Sequence, residues 1–322
     1  MPRPVLLVPR RLTADVEERL QREFDVVPPR DEVAAGVDMR QLAGEVDAIC
    51  PTVIDRVDGD LLRRAGPRLR LVANFGVGYD NVDVAAAREL GIVVTNTPDV
   101  LTEATADLAM TLLLMAARRA GEGERLVRSG NWRGWEPLQL LGQDVTGKTL
   151  GLVGFGRIGH AVAERAYRGF GMRILIYTRS PVETAVLERY GARQCGSLYE
   201  LIENSHFVSL HSPGTPETRH LVDAAALRRF RPGAVLVNTA RGTLIDEAAL
   251  VEALSSGTLA AAGLDVYERE PEVHPGLREL ENVVLLPHLG SATEQTRSAM
   301  GHRMLDNVAA FFAGLEPRDR VA

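Results

Sequence analysis

Three residues in the last third of this 322-residue chain carry side chains suited to polar chemistry, each inside a distinctive short run. Arg241 lies in Val237-Asn238-Thr239-Ala240-Arg241-Gly242, Glu270 in Asp265-Val266-Tyr267-Glu268-Arg269-Glu270-Pro271, and His288 in Leu286-Pro287-His288-Leu289-Gly290-Ser291. A guanidinium can bind a carboxylate and polarise a carbonyl, an imidazole can deliver a proton, and a carboxylate can hold that imidazole in its working state. Residue type alone selects none of them. Six other histidines compete (His160, His206, His211, His220, His274 and His302), and arginine is abundant. What singles them out is the flanking runs, and a glycine-rich turn upstream.

That turn is Gly154-Phe155-Gly156-Arg157-Ile158-Gly159. Three glycines at this spacing are common by chance, so context decides. An apolar strand precedes the turn, the helical pattern Ala161-Val162-Ala163-Glu164-Arg165-Ala166 follows, and Ile174-Leu175-Ile176-Tyr177 reads as the next strand. In such a βαβ unit the glycines let backbone amides at a helix N-terminus approach a pyrophosphate. The strand that follows bears on the cofactor. An NAD site calls for an acid about 20 residues on, to bind the ribose 2′-hydroxyl. Here the strand runs into Thr178-Arg179-Ser180-Pro181, with no carboxylate before Glu183. An arginine between two hydroxyls suits a 2′-phosphate, so NADP(H) is the preferred cofactor, with NAD(H) as the alternative. Together with a 2-keto acid, these are the parts of a hydride-transfer site.

The elements that must hold these residues alternate. Val5-Leu6-Leu7-Val8, Asp47-Ala48-Ile49-Cys50, Leu69-Arg70-Leu71-Val72-Ala73 and Ile92-Val93-Val94-Thr95 read as strands. A helix capped by Thr13 follows the first, and a helix over 82–90 ending at Gly91 precedes the last. This alternation predicts an α/β chain with parallel sheets covered by helices on both faces. Asn96-Thr97-Pro98-Asp99 interrupts it and marks a domain crossing. Thr102 opens a helix of small and apolar residues, with Leu108, Leu112 and Met115 on one face. A polar, glycine-rich stretch over 118–135 holds both tryptophans. A second α/β unit starts at Thr149-Leu150-Gly151-Leu152-Val153 and runs through Val235-Leu236-Val237-Asn238 and Val283-Val284-Leu285-Leu286. The last helix, over 292–313, has no strand after it and is expected to pack back on the first domain. The expected division is a discontinuous domain of residues 1–98 plus 288–322 and a second domain of residues 99–287.

Composition excludes several classes. A net charge of −6 gives no general affinity for nucleic acid. No apolar run reaches the ~20 residues of a membrane span, and the amino terminus lacks a leader's apolar core. Two cysteines, Cys50 and Cys195, make neither a disulfide framework nor a metal site, so no metal is expected and a reducing cytoplasm suits the chain. Lys148 is the only lysine, which disfavours Schiff-base chemistry.

With these motifs in place the chain resembles the D-isomer-specific 2-hydroxyacid dehydrogenase family. The resemblance runs from Val72-Ala73-Asn74-Phe75-Gly76-Val77-Gly78-Tyr79-Asp80 through the Gly154–Gly159 turn and His211-Ser212-Pro213-Gly214-Thr215-Pro216-Glu217-Thr218. It continues through the Arg241 turn and Gly263-Leu264-Asp265-Val266-Tyr267-Glu268 to Pro287-His288-Leu289-Gly290-Ser291-Ala292-Thr293. Within the family, the glyoxylate/hydroxypyruvate reductases are the nearest likeness. The resemblance implies a Rossmann-type dinucleotide domain beside a discontinuous, flavodoxin-like substrate domain. It implies that Arg241 binds the substrate, His288 donates the proton and Glu270 partners His288. Val77 and Gly78 would offer amides to the substrate carboxylate. Thr105, Gly154 to Gly159, Thr178, Arg179, Ser180, Ser212, Pro213, Thr218, Thr239, Ala240, Arg241, Asp265, His288 and Gly290 would surround the dinucleotide, with Asp265 near the nicotinamide. Trp135 would reach a neighbouring subunit's pocket, so a homodimer is implied. At Gly214 the chain departs from many relatives, which carry an apolar packing residue there. That difference bears on loop rigidity rather than on chemistry.

The resulting expectation is a cytoplasmic, NADPH-preferring reductase of glyoxylate and hydroxypyruvate. Its rivals are another D-2-hydroxy acid or phosphite as substrate, with phosphoglycerate and D-lactate among the acids, and a dinucleotide-sensing co-repressor or scaffold of the same fold.

Overall fold

Strands of two to five residues are too short to hold a sheet alone, so the architecture rests on what packs over them. The computed structural model describes residues 3–28 and 37–322. Met1 and Pro2, part of the segment read as lacking a leader, lie outside the described residues. The chain divides into two units, Met1–Leu101 with Ser291–Ala322, and Thr102–Gly290. Each crossing falls three residues beyond the expected one. At the first crossing the Asn96-Thr97-Pro98-Asp99 interruption stays with the first unit, and the new unit begins where its helix begins.

The first unit is built on five parallel strands: β1 (Val5–Leu7), β2 (Asp25–Val27), β3 (Ala48–Ile49), β4 (Leu71–Ala73) and β5 (Val93–Thr95), in the order β2-β1-β3-β4-β5. This is the flavodoxin-like order of a doubly wound sheet. Register sorts the side chains onto two faces. Leu6, Ala48, Leu71 and Val93 pair in one row, and Leu7, Ile49, Val72 and Val94 in the next. The first row joins a core with Val16, Leu20, Met304, Leu305 and Val308; the second joins Leu61, Leu62, Ala86 and Ala87. Met304, Leu305 and Val308 belong to the final helix, Glu294–Phe312, whose N-cap Thr293 accepts a hydrogen bond from the Thr296 amide at 3.1 Å. The terminal segment then pairs with β5, Val321 N donating to Val94 O at 2.8 Å and Val94 N to Ala322 O at 2.9 Å. It covers a sheet edge that would otherwise be open to pairing.

The second unit has seven parallel strands: β6 (Thr149–Val153), β7 (Arg173–Tyr177), β8 (Arg193–Gln194), β9 (Phe207–Leu210), β10 (Val235–Asn238), β11 (Ala261–Leu264) and β12 (Val283–Leu285). Their order is β12-β11-β10-β9-β6-β7-β8. Counted from β6 this is the Rossmann order 3-2-1-4-5-6 with one strand added, and it reverses direction between β6 and β9. Alternation again divides the core: Val235 and Val237 face one side with Leu150, Leu152 and Ile174, while Leu236 faces the other with Leu210 and Leu264.

Some sequence expectations are corrected. Strands β2, β8, β9 and β11 were not singled out; β2 and β8 are short edge strands with little pattern to read. Thr13 occupies the N-cap position of the Ala14–Glu23 helix, yet its hydroxyl does not cap, and Glu17 instead accepts from the Leu12 amide at 2.7 Å. The Thr102–Ala117 helix buries mainly Ala106, Ala109, Met110, Leu113 and Ala117, with Leu112; Leu108 and Met115 stay half-exposed. Small residues let this helix lie close to β10, β11 and the Arg157–Phe170 helix. No helix among the described residues is long and apolar enough to cross a membrane.

Candidate active site

One hydrogen-bonded row crosses the second sheet at its carboxyl edge: Tyr177, Val153, Leu210, Asn238, Leu264 and Leu285 pair in succession. Gly154, Arg179, Ser212, Arg241, Asp265 and His288 each lie one to three residues beyond a member of that row. The sequence scatters these residues over more than a hundred positions, and the sheet aligns them. Ligands of open α/β sheets bind along this edge, at the strand-order reversal.

At the reversal, Gly154 has φ of +90°. A Cβ there would stand 2.7 Å from the His211 carbonyl and the Ser212 amide, so the turns after β6 and β9 touch through glycine. Gly156 differs. It is the N-cap of the Arg157–Phe170 helix, and a Cβ there would meet nothing within 4 Å. That open space in front of the helix N-terminus fits a pyrophosphate. Phe155 packs on His160 with ring centroids 4.0 Å apart. Thr239 supplies a second sign of fit: its buried hydroxyl has no partner among the described residues.

The turn after β7 is held by Gln194, which sequence reading missed. Its side chain accepts from Val182 N at 2.9 Å and donates to Ser180 O at 3.0 Å. Arg179 and Ser180 are exposed and Thr178 is half-buried. In the loop after β9, Thr218 Oγ1 accepts from Thr215 N at 2.8 Å and donates to Pro213 O at 2.7 Å, which ties the loop into a closed turn. Gly214 is therefore no weak point. A Cβ at Gly214 would lie 2.9 Å from Arg241 Cγ, so this glycine makes room for the arginine's stem. The expectation that Gly214 bears only on loop rigidity is corrected by that contact.

Arg241, Asp265 with Glu270, and His288 follow three adjacent strands, β10, β11 and β12. Asn238, fully buried, brackets the first turn: its Oδ1 accepts from Ala240 N at 3.0 Å and its Nδ2 donates to Arg241 O at 2.8 Å. Gly242 lies so close to Tyr267 that a Cβ would fall 1.8 Å from that residue's carbonyl carbon. The Arg241 turn and the Glu270 loop are thus packed backbone to backbone. Glu270 Oε1 accepts from Tyr267 N at 2.9 Å, and its Oε2 meets His288 Nδ1 at 2.8 Å. His288 Nε2 has no hydrogen bond among the described residues. Tyr267 donates its hydroxyl to Leu286 O at 2.8 Å, linking this loop to the strand that carries His288.

His288 itself has φ of +56°, a left-handed conformation uncommon for this residue type. Asp265 holds it there through three bonds: its carbonyl accepts from His288 N at 2.9 Å, and its carboxylate from Leu289 N at 2.6 Å and Gly290 N at 2.8 Å. Burial pushes the Asp265 carboxyl above the ordinary aspartate range, against the pull of those two amides. Thr105 Oγ1 donates to Gly290 O at 3.1 Å. His211 is a different case from His288. Desolvation holds its imidazole down to about 4, which keeps it neutral, and its Nε2 meets Ser209 Oγ at 2.9 Å. Among the described residues no cluster of histidine, cysteine and acidic side chains could hold a metal ion.

Comparisons with known proteins agree with this geometry. The profile of the D-isomer specific 2-hydroxyacid dehydrogenase NAD binding domain matches residues 110–290. The glyoxylate reductase of Thermococcus kodakarensis is 46% identical, covering 98% of this chain and 95% of its own. This chain belongs to the D-isomer-specific 2-hydroxyacid dehydrogenases. Among solved structures of the family, the NADPH-dependent glyoxylate/hydroxypyruvate reductase of Sinorhizobium meliloti, in complex with NADP and malonate, is 42% identical. It superposes with a TM-score of 0.86, over 99% of this chain and 97% of its own. The holo D-mandelate dehydrogenase of Rhodotorula graminis, 31% identical, reaches 0.87 over 100% and 98%. The dehydrogenase described here therefore works with a nicotinamide dinucleotide, and the edge from Gly154 to Gly159 suits it. Val77 and Gly78 belong to the other unit, in the loop after β4, and Trp135 stands 81% exposed.

Proposed function

We propose that this dehydrogenase reduces small 2-keto acids, glyoxylate and hydroxypyruvate, to glycolate and D-glycerate, and that it prefers NADPH. The observation that carries the reading is the His288–Glu270 pair at 2.8 Å, one strand removed from the Arg241 turn at the carboxyl edge of the dinucleotide sheet. The nicotinamide, when bound, supplies the hydride. Arg241 binds the substrate carboxylate and draws charge onto the carbonyl oxygen. Glu270 engages Nδ1 of His288, so Nε2 is the nitrogen left to give its proton to the developing alkoxide. The amides of Val77 and Gly78 are the proposed main-chain donors to the substrate carboxylate. The close relationship to glyoxylate reductases supports the substrate, and small 2-keto acids need only one carboxylate clamp and one proton donor.

For the cofactor, Gly154 to Gly159 hold the pyrophosphate at the helix N-terminus, and Thr178, Arg179 and Ser180 take the 2′-phosphate. Ser212, Pro213, Thr218, Thr239, Ala240 and Gly290 line the same edge, with Thr105 behind Gly290 and Asp265 beside the nicotinamide. Initial rates with a panel of 2-keto acids, using NADPH and NADH side by side, test the whole reading. The expected result is fastest turnover of glyoxylate or hydroxypyruvate with NADPH. In the Arg179→Ala variant the KM for NADPH should rise about tenfold or more while that for NADH barely moves. Faster turnover of D-lactate-type or aromatic substrates, or equal effects on both cofactors, would correct the substrate or the cofactor respectively.

The enzyme is read as a cytoplasmic homodimer. Trp132, Trp135, Leu138, Leu141 and Val127 are exposed within fifteen residues of chain, an unusual concentration of apolar surface. A second copy would cover it, with Trp135 reaching the partner's substrate pocket. Sedimentation of the intact protein as a monomer at assay concentration would remove that part of the reading.

A further inference from the structure

A peptide group fixes the direction of two atoms at once: when the carbonyl of one residue is held, the N–H of the next points the opposite way. Three consecutive peptide groups in the loop after β4 are held in this manner. The carbonyl of Gly76 accepts from Thr97 N at 3.0 Å. The carbonyl of Val77 accepts from Asn96 Nδ2 at 2.8 Å, and that of Gly78 from Asn74 Nδ2 at 2.8 Å. The amides on the far side of those planes are Val77, Gly78 and Tyr79, and none of them makes a hydrogen bond among the described residues. Successive unengaged amides facing one way form an anion-binding concavity.

The two asparagines are themselves fixed. Asn74 is fully buried, and its Oδ1 accepts from Asn81 Nδ2 at 3.0 Å. Asn81 in turn donates to Thr52 O at 3.0 Å and Asp55 O at 3.1 Å, and Asp55 is paired with Arg10 at 2.8 Å. Asn96 is buried as well and is gripped by the end of the chain: its N donates to Asp319 O at 3.2 Å, and its O accepts from Asn307 Nδ2 at 3.3 Å. A buried amide side chain in an otherwise apolar strand end calls for such an explanation.

We propose that Asn74 and Asn96 are positioning residues for the substrate carboxylate. By drawing the carbonyls of Val77 and Gly78 inward they turn out the amides of Gly78 and Tyr79, which join Val77 N, set by Thr97, as one anion clamp. The proposal rests on the 2-keto acid reading above and names what makes that loop competent. Asn96→Ala removes the donor to Val77 O. Its KM for glyoxylate should rise about tenfold, while kcat and the KM for NADPH stay within about twofold. Asn96→Gln, which keeps a donor, should recover part of that rise; a merely structural role would not produce this split. An unchanged glyoxylate KM in Asn96→Ala overturns the clamp. Should that variant not fold, residue-resolved amide exchange in the unaltered protein decides. Glyoxylate added to the NADP⁺ complex, where no turnover occurs, should slow exchange at Val77, Gly78 and Tyr79. Glyoxylate turnover by the unaltered protein without that protection overturns the clamp alone, whereas failure to reduce any 2-keto acid overturns the reading beneath it.

Discussion

At the scale of single residues, the proposed chemistry rests on a histidine whose backbone is held in an uncommon conformation and whose ring is held by a carboxylate. Asp265 fixes the backbone, Glu270 the ring. Replacing His288 by alanine should lower kcat by about 10²- to 10⁴-fold, the usual worth of a positioned acid. NADPH binding, followed by fluorescence titration, should persist; a variant keeping more than a tenth of wild-type kcat would take the proton-donor role from His288. Glu270→Gln retains the shape of the pair without its charge and should cost less, about 10- to 100-fold. Arg241, Glu270 and His288 stand out as candidates in the sequence because each sits in a short run with small or proline neighbours. Their supports do not. Tyr267 and Gln194 act through one or two hydrogen bonds to backbone 12 to 19 residues away, and nothing in their own flanks announces such a partner; Asn238 brackets its own turn, a role its residue type alone does not reveal.

At the scale of elements, parallel strands deliver distant segments to one edge, and the turns beyond that edge then need room to pack. Strand existence could be read for long apolar runs such as Thr149–Val153 and Val235–Asn238, where register and burial reinforce the pattern. Two-residue β8 and the edge strand β2 carry too few side chains for any period to show. Glycines at the turns proved more informative than their frequency suggested. Gly242→Ala forces a methyl into the backbone of Tyr267, so the Arg241 turn and the Glu270 loop must separate. Denaturant melts should show a loss of stability of roughly 2 kcal/mol or more, the scale of overpacking in a closed site, with kcat/KM falling in the same variant. A fully stable, fully active Gly242→Ala protein would contradict the contact.

At the scale of the whole molecule, the first unit depends on residues from both ends of the chain. Asp319 accepts from Arg303 at 2.7 Å and from Asn307 at 3.0 Å. Burial, the largest influence, tends to raise its carboxyl, but those hydrogen bonds outweigh it and the net shift is downward. A carboxylate depressed in the folded state contributes stability that is complete above its unfolded value, near 3.9, and is lost as pH falls through the folded one. Asp319→Asn should therefore melt lower than the unaltered protein at pH 7, by about 1–3 kcal/mol. The gap should close as the pH is taken below about 4. A gap independent of pH would mean that the charge is not what Asp319 contributes. The two-unit division was visible in the sequence from the return of a helix without a strand, yet the pairing of the last residues with β5 was not. That pairing involves main-chain atoms, which leave no trace in residue type.

The same arrangement bears on the order in which the protein is born. Residues Thr102–Gly290 form one uninterrupted stretch, so the dinucleotide sheet has all its strands as soon as Gly290 leaves the ribosome. The first unit starts earlier and finishes later. Its five strands emerge before the dinucleotide sheet, but Met304, Leu305 and Val308 for one face, and the segment that covers β5, arrive only after Gly290. Until then the amino-terminal sheet has an open edge and an uncovered apolar face, the features that invite mispairing on a crowded polysome. For this chain, the unit that starts first is completed after the one that starts second.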